Sequence, residues 1–217
     1  MSDLLLPSHK RFLDVFFSKT GGFFLTGGTA LSVFYLQHRR SDDLDLFTLS
    51  GDRFSEVRGI LQAVIHETGG TWEADRTAPH FHRGVWRPVG DPAGVKIDMV
   101  WETAVQAVEK KKMFGPYAVD GPEDICANKF CTLLSRSELR DAIDLFFLDR
   151  SGLRILDHFP AAQKKDAGLT REILCQICSD IRLDSWPPYM IQKPDLQNFN
   201  RFFADLTDLL ARETFPR

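Results

Sequence analysis

Two aspartates separated by one residue are the first candidates for chemistry in this chain. The run Asp43-Leu44-Asp45-Leu46-Phe47 alternates charged and apolar residues, which predicts a strand with both carboxylates on one face and both leucines on the other. Two carboxylates on one face of a buried-type strand are costly unless a cation lies between them. Because carboxylate oxygens suit Mg²⁺, this pair predicts a divalent-metal site.

A glycine-containing turn lies shortly before the acidic strand. Phe23–Leu25 predicts a short buried strand, Thr26-Gly27-Gly28-Thr29 interrupts the apolar pattern, and Ala30–Leu36 predicts a helix. Glycines allow positive φ and let backbone N–H groups approach a phosphate closely. The hydroxyls of Thr26 and Thr29 are further potential donors. Placed just before a D-x-D strand, the turn is a candidate triphosphate-binding site.

These two segments together resemble a known family. Gly27-Gly28-Thr29-Ala30-Leu31, followed by His38-Arg39-Arg40-Ser41-Asp42-Asp43-Leu44-Asp45-Leu46-Phe47, resembles the AbiEii/AbiGii-type nucleotidyltransferase toxins of the DNA polymerase β-like superfamily. The resemblance implies a metal-dependent enzyme that uses an NTP and Mg²⁺ or Mn²⁺. It also implies the following roles: Asp43 and Asp45 as metal ligands, Gly27, Gly28 and Thr29 around the phosphates, and Arg39 and Ser41 positioning phosphates or the acidic strand.

A third carboxylate is expected on a later strand. In Lys96-Ile97-Asp98-Met99-Val100, Asp98 lies on the opposite strand face from Ile97 and Met99. The superfamily resemblance implies that Asp98 completes the metal site and orients the acceptor hydroxyl. The alternative is an aspartate at a strand end that pairs with Lys96 or with an arginine.

Two predicted helices, Glu123–Arg136 and Glu138–Arg150, carry the remaining candidates. Lys129 falls within the apolar stripe of the first helix, where a lysine is unusual unless its amine reaches a partner. A nucleotide triphosphate would be such a partner. The resembled family has a lysine here, followed by an R-x-x-x-R-D-x-x-D-L pattern, which implies a catalytic, phosphate-binding Lys129 and a nucleotide-binding Asp141. For Asp144, a helix-surface ion pair with Arg140 at i, i+4 is the alternative.

Composition restricts the location and the partners of the protein. The chain has 217 residues, 43% of them apolar, a net charge of −3 and a pI near 6.1. This composition supports a folded core, but it includes no global basic excess for nucleic-acid binding, so any RNA contact must come from a local patch. Because neither a signal peptide nor a transmembrane segment is recognisable, we expect a cytoplasmic protein with no membrane partner.

The expected fold is α/β (α+β): a small mixed sheet flanked by helices, then an α-helical C-terminal region. We expect a polymerase β-like nucleotidyltransferase core over residues 1–120 and a helical domain over 121–217. The site should lie between the strand with Asp43 and Asp45 and the helix with Lys129.

The resemblance implies NMP transfer to an acceptor hydroxyl on RNA, such as the tRNA 3′ end, by a toxin with a possible cognate antitoxin. The alternatives are a small-molecule acceptor, as in aminoglycoside-modifying relatives, a hydroxyl on a protein side chain, and a non-catalytic nucleotide-binding module. The intact Asp43/Asp45 pair argues against the last of these.

Overall fold

The computed structural model describes residues 4–136 and 138–214, and its strands form one mixed sheet. The strands are β1 (Phe23–Thr26), β2 (Asp43–Thr48), β3 (Thr71–Ala78), β4 (Phe81–Arg87), β5 (Val95–Trp101), β6 (Lys112–Phe114) and β7 (Tyr117–Val119). Their order is β3-β4-β5-β2-β1-β7-β6. The pairs β2/β5 and β1/β7 are parallel, and the other neighbours are antiparallel. The mixed sheet confirms the expected fold class.

Helices precede, interrupt and follow the strands. They are α1 (Pro7–Lys19), α2 (Gly27–Leu31), α3 (Gly51–Ser55), α4 (Val57–Thr68), α5 (Pro122–Arg136), α6 (Leu139–Arg150), α7 (Phe159–Lys165), α8 (Arg171–Asp180) and α9 (Leu196–Thr214). A π-helical turn, Ser32–Leu36, continues α2, and a 3₁₀ turn, Ile155–His158, precedes α7. None of the helices in the described ranges is long and apolar enough to cross a membrane.

The chain divides into two compact units. Unit 1 takes the chain up to Tyr35, then Arg40–Thr103 and Glu109–Gly121. Unit 2 takes Leu36–Arg39, Ala104–Val108 and the chain from Pro122 onward. The predicted division after residue 120 lies close to Pro122, where the long segment of unit 2 begins. Nothing in the sequence predicted that the short segments Leu36–Arg39 and Ala104–Val108 also belong to unit 2.

Helix α1 packs against the sheet of unit 1. Its buried Phe12 ring lies 5.4 Å from the ring of Trp86, and Phe16 lies 5.3 Å from Phe23. The two β2 leucines, Leu44 and Leu46, are fully buried. Since side chains alternate along a strand, the aspartates of β2 point to the opposite side of the sheet.

Several boundaries differ from the expectations. The helix expected to begin at Ala30 begins at Gly27, so the two glycines form its first turn rather than a loop before it. The apolar spacing over 53–68 predicts a single helix, but the structure divides it at Glu56. Ser50 caps the separate short helix α3 by accepting a hydrogen bond from the Arg53 N–H. The sequence over 113–119 predicts a single strand, but the structure has a hairpin there that turns at Gly115, where φ is +60°.

The helical core of unit 2 is built around aromatic side chains. Phe146 of α6 and Phe199 of α9 lie 5.2 Å apart, and Trp186 lies 5.5 Å from Phe199. The predicted helices over 123–136 and 138–150 are confirmed as α5 and α6. These two helices carry Lys129, Asp141 and Asp144.

Candidate active site

Three carboxylates share one face of the unit 1 sheet, which we call the carboxylate face (Asp43, Asp45 and Asp98). Burial alternates along β2, so that Asp43 and Asp45 are partly exposed while Leu44 and Leu46 are buried. The parallel register of β2 and β5 pairs Asp45 with Asp98. The predicted strand parity is therefore confirmed, and β5 brings the third aspartate beside the second.

Two cations compensate part of the charge on the carboxylate face. The Arg83 guanidinium donates from Nε and Nη2 to the two Asp98 oxygens at 2.7 and 2.6 Å. The Lys96 Nζ lies 3.7 Å from the Asp43 carboxylate. The pairing of Asp98 with an arginine, which the sequence left open as an alternative, is present in the structure.

Gly27 connects the predicted phosphate turn to the acidic strand. Its φ is +69°, a conformation that L side chains rarely adopt, and a Cβ at this position would overlap the Asp45 carboxylate. The neighbouring Thr26 is paired with Asp45 in the β1/β2 register. Glycine is therefore required here for two reasons, and the backbone of the turn lies directly against one candidate metal ligand.

The threonine hydroxyls of this turn serve the fold. The Thr29 hydroxyl donates to the Asp43 carbonyl oxygen at 2.5 Å, and the Thr26 hydroxyl donates to the Asp120 carboxylate at 2.8 Å. Both hydroxyl protons are therefore used within the protein, and a phosphate contact from the Thr29 hydroxyl stays a prediction that requires its bond to open. Thr29 connects α2 to the start of β2, and the backbone N–H groups of Gly27 and Gly28 are the donors that remain for the turn.

Asp120 is a residue of this region whose importance the sequence did not reveal. Its fully buried carboxylate accepts hydrogen bonds from Thr26 and, at 2.6 Å, from the Lys111 ammonium. The Tyr35 hydroxyl donates to its carbonyl oxygen at 2.8 Å. Asp120 therefore fixes the position of Thr26, the residue directly before the turn at Gly27. In the sequence, Asp120-Gly121-Pro122 suggests only a turn, and nothing marks the aspartate as buried.

The carboxylate face supplies the hard oxygen ligands that a divalent ion needs. Asp43 and Asp45 fit this requirement, since both are partly exposed and lie on the same side of β2. A contribution from Asp98 requires Arg83 to release its two oxygens. In line with that pairing, no group of three His, Cys, Asp or Glu side chains within residues 4–136 and 138–214 is arranged to hold a metal ion.

The predicted site residues Arg39, Lys129 and Asp141 belong to a group in unit 2 that we call the aspartate cluster (His38, Arg39, Lys129, Arg136, Asp141 and Asp144). All of its members except Arg136 are buried. Arg39 donates from Nε and Nη2 to the two Asp144 oxygens at 2.6 and 2.7 Å. The His38 Nε2 lies 2.8 Å from Asp144, and the Lys129 ammonium lies 2.6 Å from it. The alternative of a surface pair between Arg140 and Asp144 is wrong, because Asp144 is fully buried and Arg140 pairs with Glu138.

Asp141 extends the aspartate cluster. It accepts a hydrogen bond from Lys129 at 2.6 Å and one from the Arg136 Nε at 2.9 Å. Lys129 is 4% exposed and lies between two carboxylates, which explains a lysine on an apolar helix face. The nucleotide contacts predicted for Arg39, Lys129 and Asp141 require these ion pairs to open. Ser41 lies two residues before β2 and is partly exposed.

The aspartate cluster shifts the pKa values of its members in directions that keep its charges paired. Burial opposes the ionised form of Asp144, but Arg39 and Lys129 outweigh it and hold the pKa of Asp144 well below its usual range. Asp141 shows the same balance, with its pKa lowered mainly by Lys129 against burial. Burial lowers the pKa of His38, so its imidazole is neutral at pH 7.

A protein-family comparison identifies this chain. The model of the AbiEii nucleotidyl transferase toxin, of type IV toxin–antitoxin systems, matches residues 11–215. The chain belongs to the AbiEii nucleotidyltransferase toxin family. This membership makes it a nucleotidyltransferase enzyme and confirms the family resemblance read from residues 27–31 and 38–47.

Solved structures show where else the fold of this AbiEii family member occurs. A Helicobacter pylori protein assigned to the nucleotidyltransferases superposes with a TM-score of 0.62 at 19% identity, over 98% of this chain and 97% of that one. JHP933 from Helicobacter pylori superposes with a TM-score of 0.59 at 18% identity, over 98% of this chain and 94% of JHP933. The antibiotic-resistance factor ANT(2″)-Ia superposes with a TM-score of 0.53 at 16% identity, over 78% of this chain and 96% of that one. No curated protein matches the chain in sequence.

Proposed function

We propose that this enzyme transfers an NMP unit from an NTP to a hydroxyl of RNA, with the 3′ end of tRNA as the first candidate acceptor. The observation that carries the proposal is the contact between the Gly27 backbone and the Asp45 carboxylate. It places a turn suited to phosphates directly against a pair of carboxylates suited to Mg²⁺ or Mn²⁺. Nucleotidyl transfer needs both features side by side.

The reaction forms one bond and breaks one. The acceptor oxygen attacks the α-phosphorus of the NTP, the bond between the α-phosphorus and the oxygen that bridges to the β-phosphorus breaks, and pyrophosphate leaves. The hydroxyl proton passes to a carboxylate or to water. Gly27 and Gly28 hold the β- and γ-phosphates. Asp43 and Asp45 would hold a divalent metal, which would supply positive charge to offset that of the triphosphate. Asp98, once released by Arg83, orients the acceptor hydroxyl.

The residues of the aspartate cluster enter this proposal in a more limited way. Lys129 and Asp141 remain candidates for nucleotide binding, and Arg39 and Ser41 remain candidates for positioning the phosphates or the acidic strand. Arg39 and His38 stand close before β2 in the chain, and both bond to Asp144. This pairing supports the positioning role for Arg39, because it fixes the chain just before the acidic strand.

A toxin role and a cognate antitoxin follow from the family description, which places its members in type IV toxin–antitoxin systems. A small-molecule acceptor is the second candidate. It is favoured by the structural similarity to ANT(2″)-Ia, an antibiotic-resistance factor.

The experiment is incubation of the purified chain with each α-labelled NTP, Mg²⁺ and total cellular RNA, with Asp45→Asn as the matched control. We expect label in a tRNA-sized band with wild type. In Asp45→Asn we expect at least about a hundredfold less, since the variant weakens charge neutralisation in the transition state.

Three results would count against this proposal. Full activity in Asp45→Asn would remove the carboxylate face from the mechanism. No labelled RNA, together with Mg²⁺-dependent stabilisation of the fold by an NTP, would move the assignment to a small-molecule or protein acceptor. If neither labelled RNA nor stabilisation by an NTP is observed, the chain would be a non-catalytic member of the family.

A further inference from the structure

Four charged residues form a row across the unit 1 sheet. The strand register pairs Arg76 of β3 with Arg83 of β4, Arg83 with Asp98 of β5, and Asp98 with Asp45 of β2. Two arginines on neighbouring strands therefore lie in line with two candidate catalytic aspartates. The Gly27 turn follows β1, on the other side of β2.

A β-bulge creates this row. The β3/β4 register shifts between Ala74 and Arg76, which leaves Asp75 as the extra residue. Without the bulge, strict alternation would place Arg76 on the same face as Ala74 and direct Asp75 to the face that carries Arg83. Bulges redirect side chains and are frequent beside active sites. Here the bulge substitutes a cation for an anion next to the carboxylate face.

In the resulting pair of arginines, the Asp98 carboxylate and nearby Asp75 and Asp43 stabilise the charge of Arg83 and raise its pKa. Like charges directly opposite each other on neighbouring strands repel. Both guanidiniums lie over the half-buried Phe81 ring, Arg76 at 5.8 Å and Arg83 at 5.1 Å from its centroid. Arg83 is paired with Asp98, whereas exposed Arg76 makes no ion pair with any carboxylate in the described part of the chain. A ligand with negative charge would resolve this cost.

We propose that this arginine patch (Arg76, Phe81 and Arg83) binds the acceptor strand of single-stranded RNA, with the guanidiniums on its phosphates and Phe81 against an unstacked base. The inference rests on the proposed function, since it names the surface that the RNA acceptor uses. The nucleotide triphosphate is bound at Gly27 and Gly28, on one side of the aspartates. The acceptor approaches from the side of β3 and β4 and presents its terminal hydroxyl to Asp98.

The charge of the arginine patch also selects between acceptor classes. Guanidinium groups attract phosphodiesters, and arginine with an aromatic ring is a common combination for single-stranded nucleic acid. The same two cations repel a polycationic acceptor such as an aminoglycoside. On the arginine patch itself, charge therefore favours a phosphodiester acceptor over a polycationic one.

The test measures RNA binding and nucleotide binding separately. A fluorescein-labelled single-stranded RNA of about twelve nucleotides, within the range of common site sizes, is titrated with protein at several NaCl concentrations, and anisotropy gives Kd. The variants are Arg76→Gln and Phe81→Leu. Arg87→Gln is the matched control, since Arg87 also lies on β4 but pairs with Glu73 at 2.5 Å.

We expect Arg76→Gln to weaken RNA binding about tenfold, as for loss of one hydrogen bond to a charged group. The slope of log K against log salt should fall by about 0.7, the value for one phosphate contact on a single strand. Phe81→Leu should weaken binding without changing the slope. Arg87→Gln should change neither quantity. Thermal stabilisation by NTP and Mg²⁺ should be the same in Arg76→Gln and wild type, because the Gly27 turn lies across the sheet.

Equal RNA affinity and salt slope in Arg76→Gln and wild type would overturn the arginine patch. An equal loss in Arg87→Gln would also overturn it, because binding would then depend on net charge alone. The proposed function fails differently: RNA binding that depends on Arg76, without any nucleotide transfer, would support the patch and contradict the enzyme assignment to RNA.

Discussion

The carboxylate face of unit 1 and the aspartate cluster of unit 2 use the same side chain in opposite ways. In the aspartate cluster, Asp144 is fully buried and bonded to Arg39, His38 and Lys129. On the carboxylate face, the Asp43 side chain is 30% exposed, and the Lys96 ammonium lies 3.7 Å from its carboxylate. Tightly paired, buried carboxylates hold a fold together, whereas accessible carboxylates beside a glycine turn can accept a metal and a substrate.

The largest expected effect is a difference in the free energy of unfolding between a variant of the aspartate cluster and a variant of the carboxylate face. Asp144→Asn leaves Arg39 and Lys129 buried without their shared carboxylate, so we expect it to lower the free energy of unfolding by about 3–5 kcal/mol. Asp45→Asn should change it by less than about 1 kcal/mol, because Asp45 is partly exposed and its neighbours Asp43 and Asp98 have the same charge. Urea unfolding of both variants beside wild type measures the difference. Equal losses would mean that the two sets of aspartates have the same structural role.

A smaller effect is expected where the glycine turn meets the carboxylate face. Gly27→Ala combines a positive φ with overlap between its Cβ and the Asp45 carboxylate, and we expect a loss of about 1–3 kcal/mol together with reduced nucleotide transfer. Gly59→Ala is the matched control, since Gly59 lies within α4 with open space around its Cβ position, and it should gain about 0.5–1 kcal/mol. Unchanged activity and stability in Gly27→Ala would show that the turn can move away from Asp45.

The smallest effect tests the neutral histidine of the aspartate cluster. Burial lowers the pKa of His38 below its ordinary value of 6.5, so between these two pKa values the unfolded chain binds a proton that the folded chain does not. Stability should therefore fall as the pH decreases below about 6.5, by at most about 1.4 kcal/mol per pH unit for this group.

The matching variant is His38→Gln, whose amide can still donate to Asp144. Unfolding free energies at pH 7.5 and 5.5 should differ less in this variant than in wild type. Part of the pH dependence should remain, because burial also lowers the pKa of His9. An unchanged difference between the two pH values would mean that folding does not shift the pKa of His38, and a larger difference in the variant would mean that folding raises it.

Local patterns in the sequence were sufficient for the fold class and for the carboxylates of β2. The alternation of Asp43 to Leu46 predicted both the strand and the face of each side chain, and the structure confirms both. Strand periodicity is a local property, so it can be read without knowing which strands become neighbours. Local patterns also predicted β5 around Asp98 and the two helices α5 and α6.

Partners that are distant in the chain could not be read in this way. Local spacing suggested that Asp144 pairs with Arg140, but the fold brings Arg39 to it across more than a hundred residues. The sequence pattern predicts a strand over 71–75 only, whereas β3 continues past the bulge after Ala74, so the pattern does not reveal the position of Arg76. Buried Asp120 was interpreted as part of a turn, because burial depends on how β1, β7 and the surrounding segments pack.

The sequence by itself determined the family, the acidic strand and the glycine turn before it, because each depends on residue types at short, fixed separations. Only the tertiary structure decided how those residues are used: Arg83 on Asp98, Asp45 against Gly27, and Arg76 in line with both aspartates. Strand register and a single bulge set these contacts. Both arise from packing over the whole sheet, for which no short stretch of sequence carries enough information.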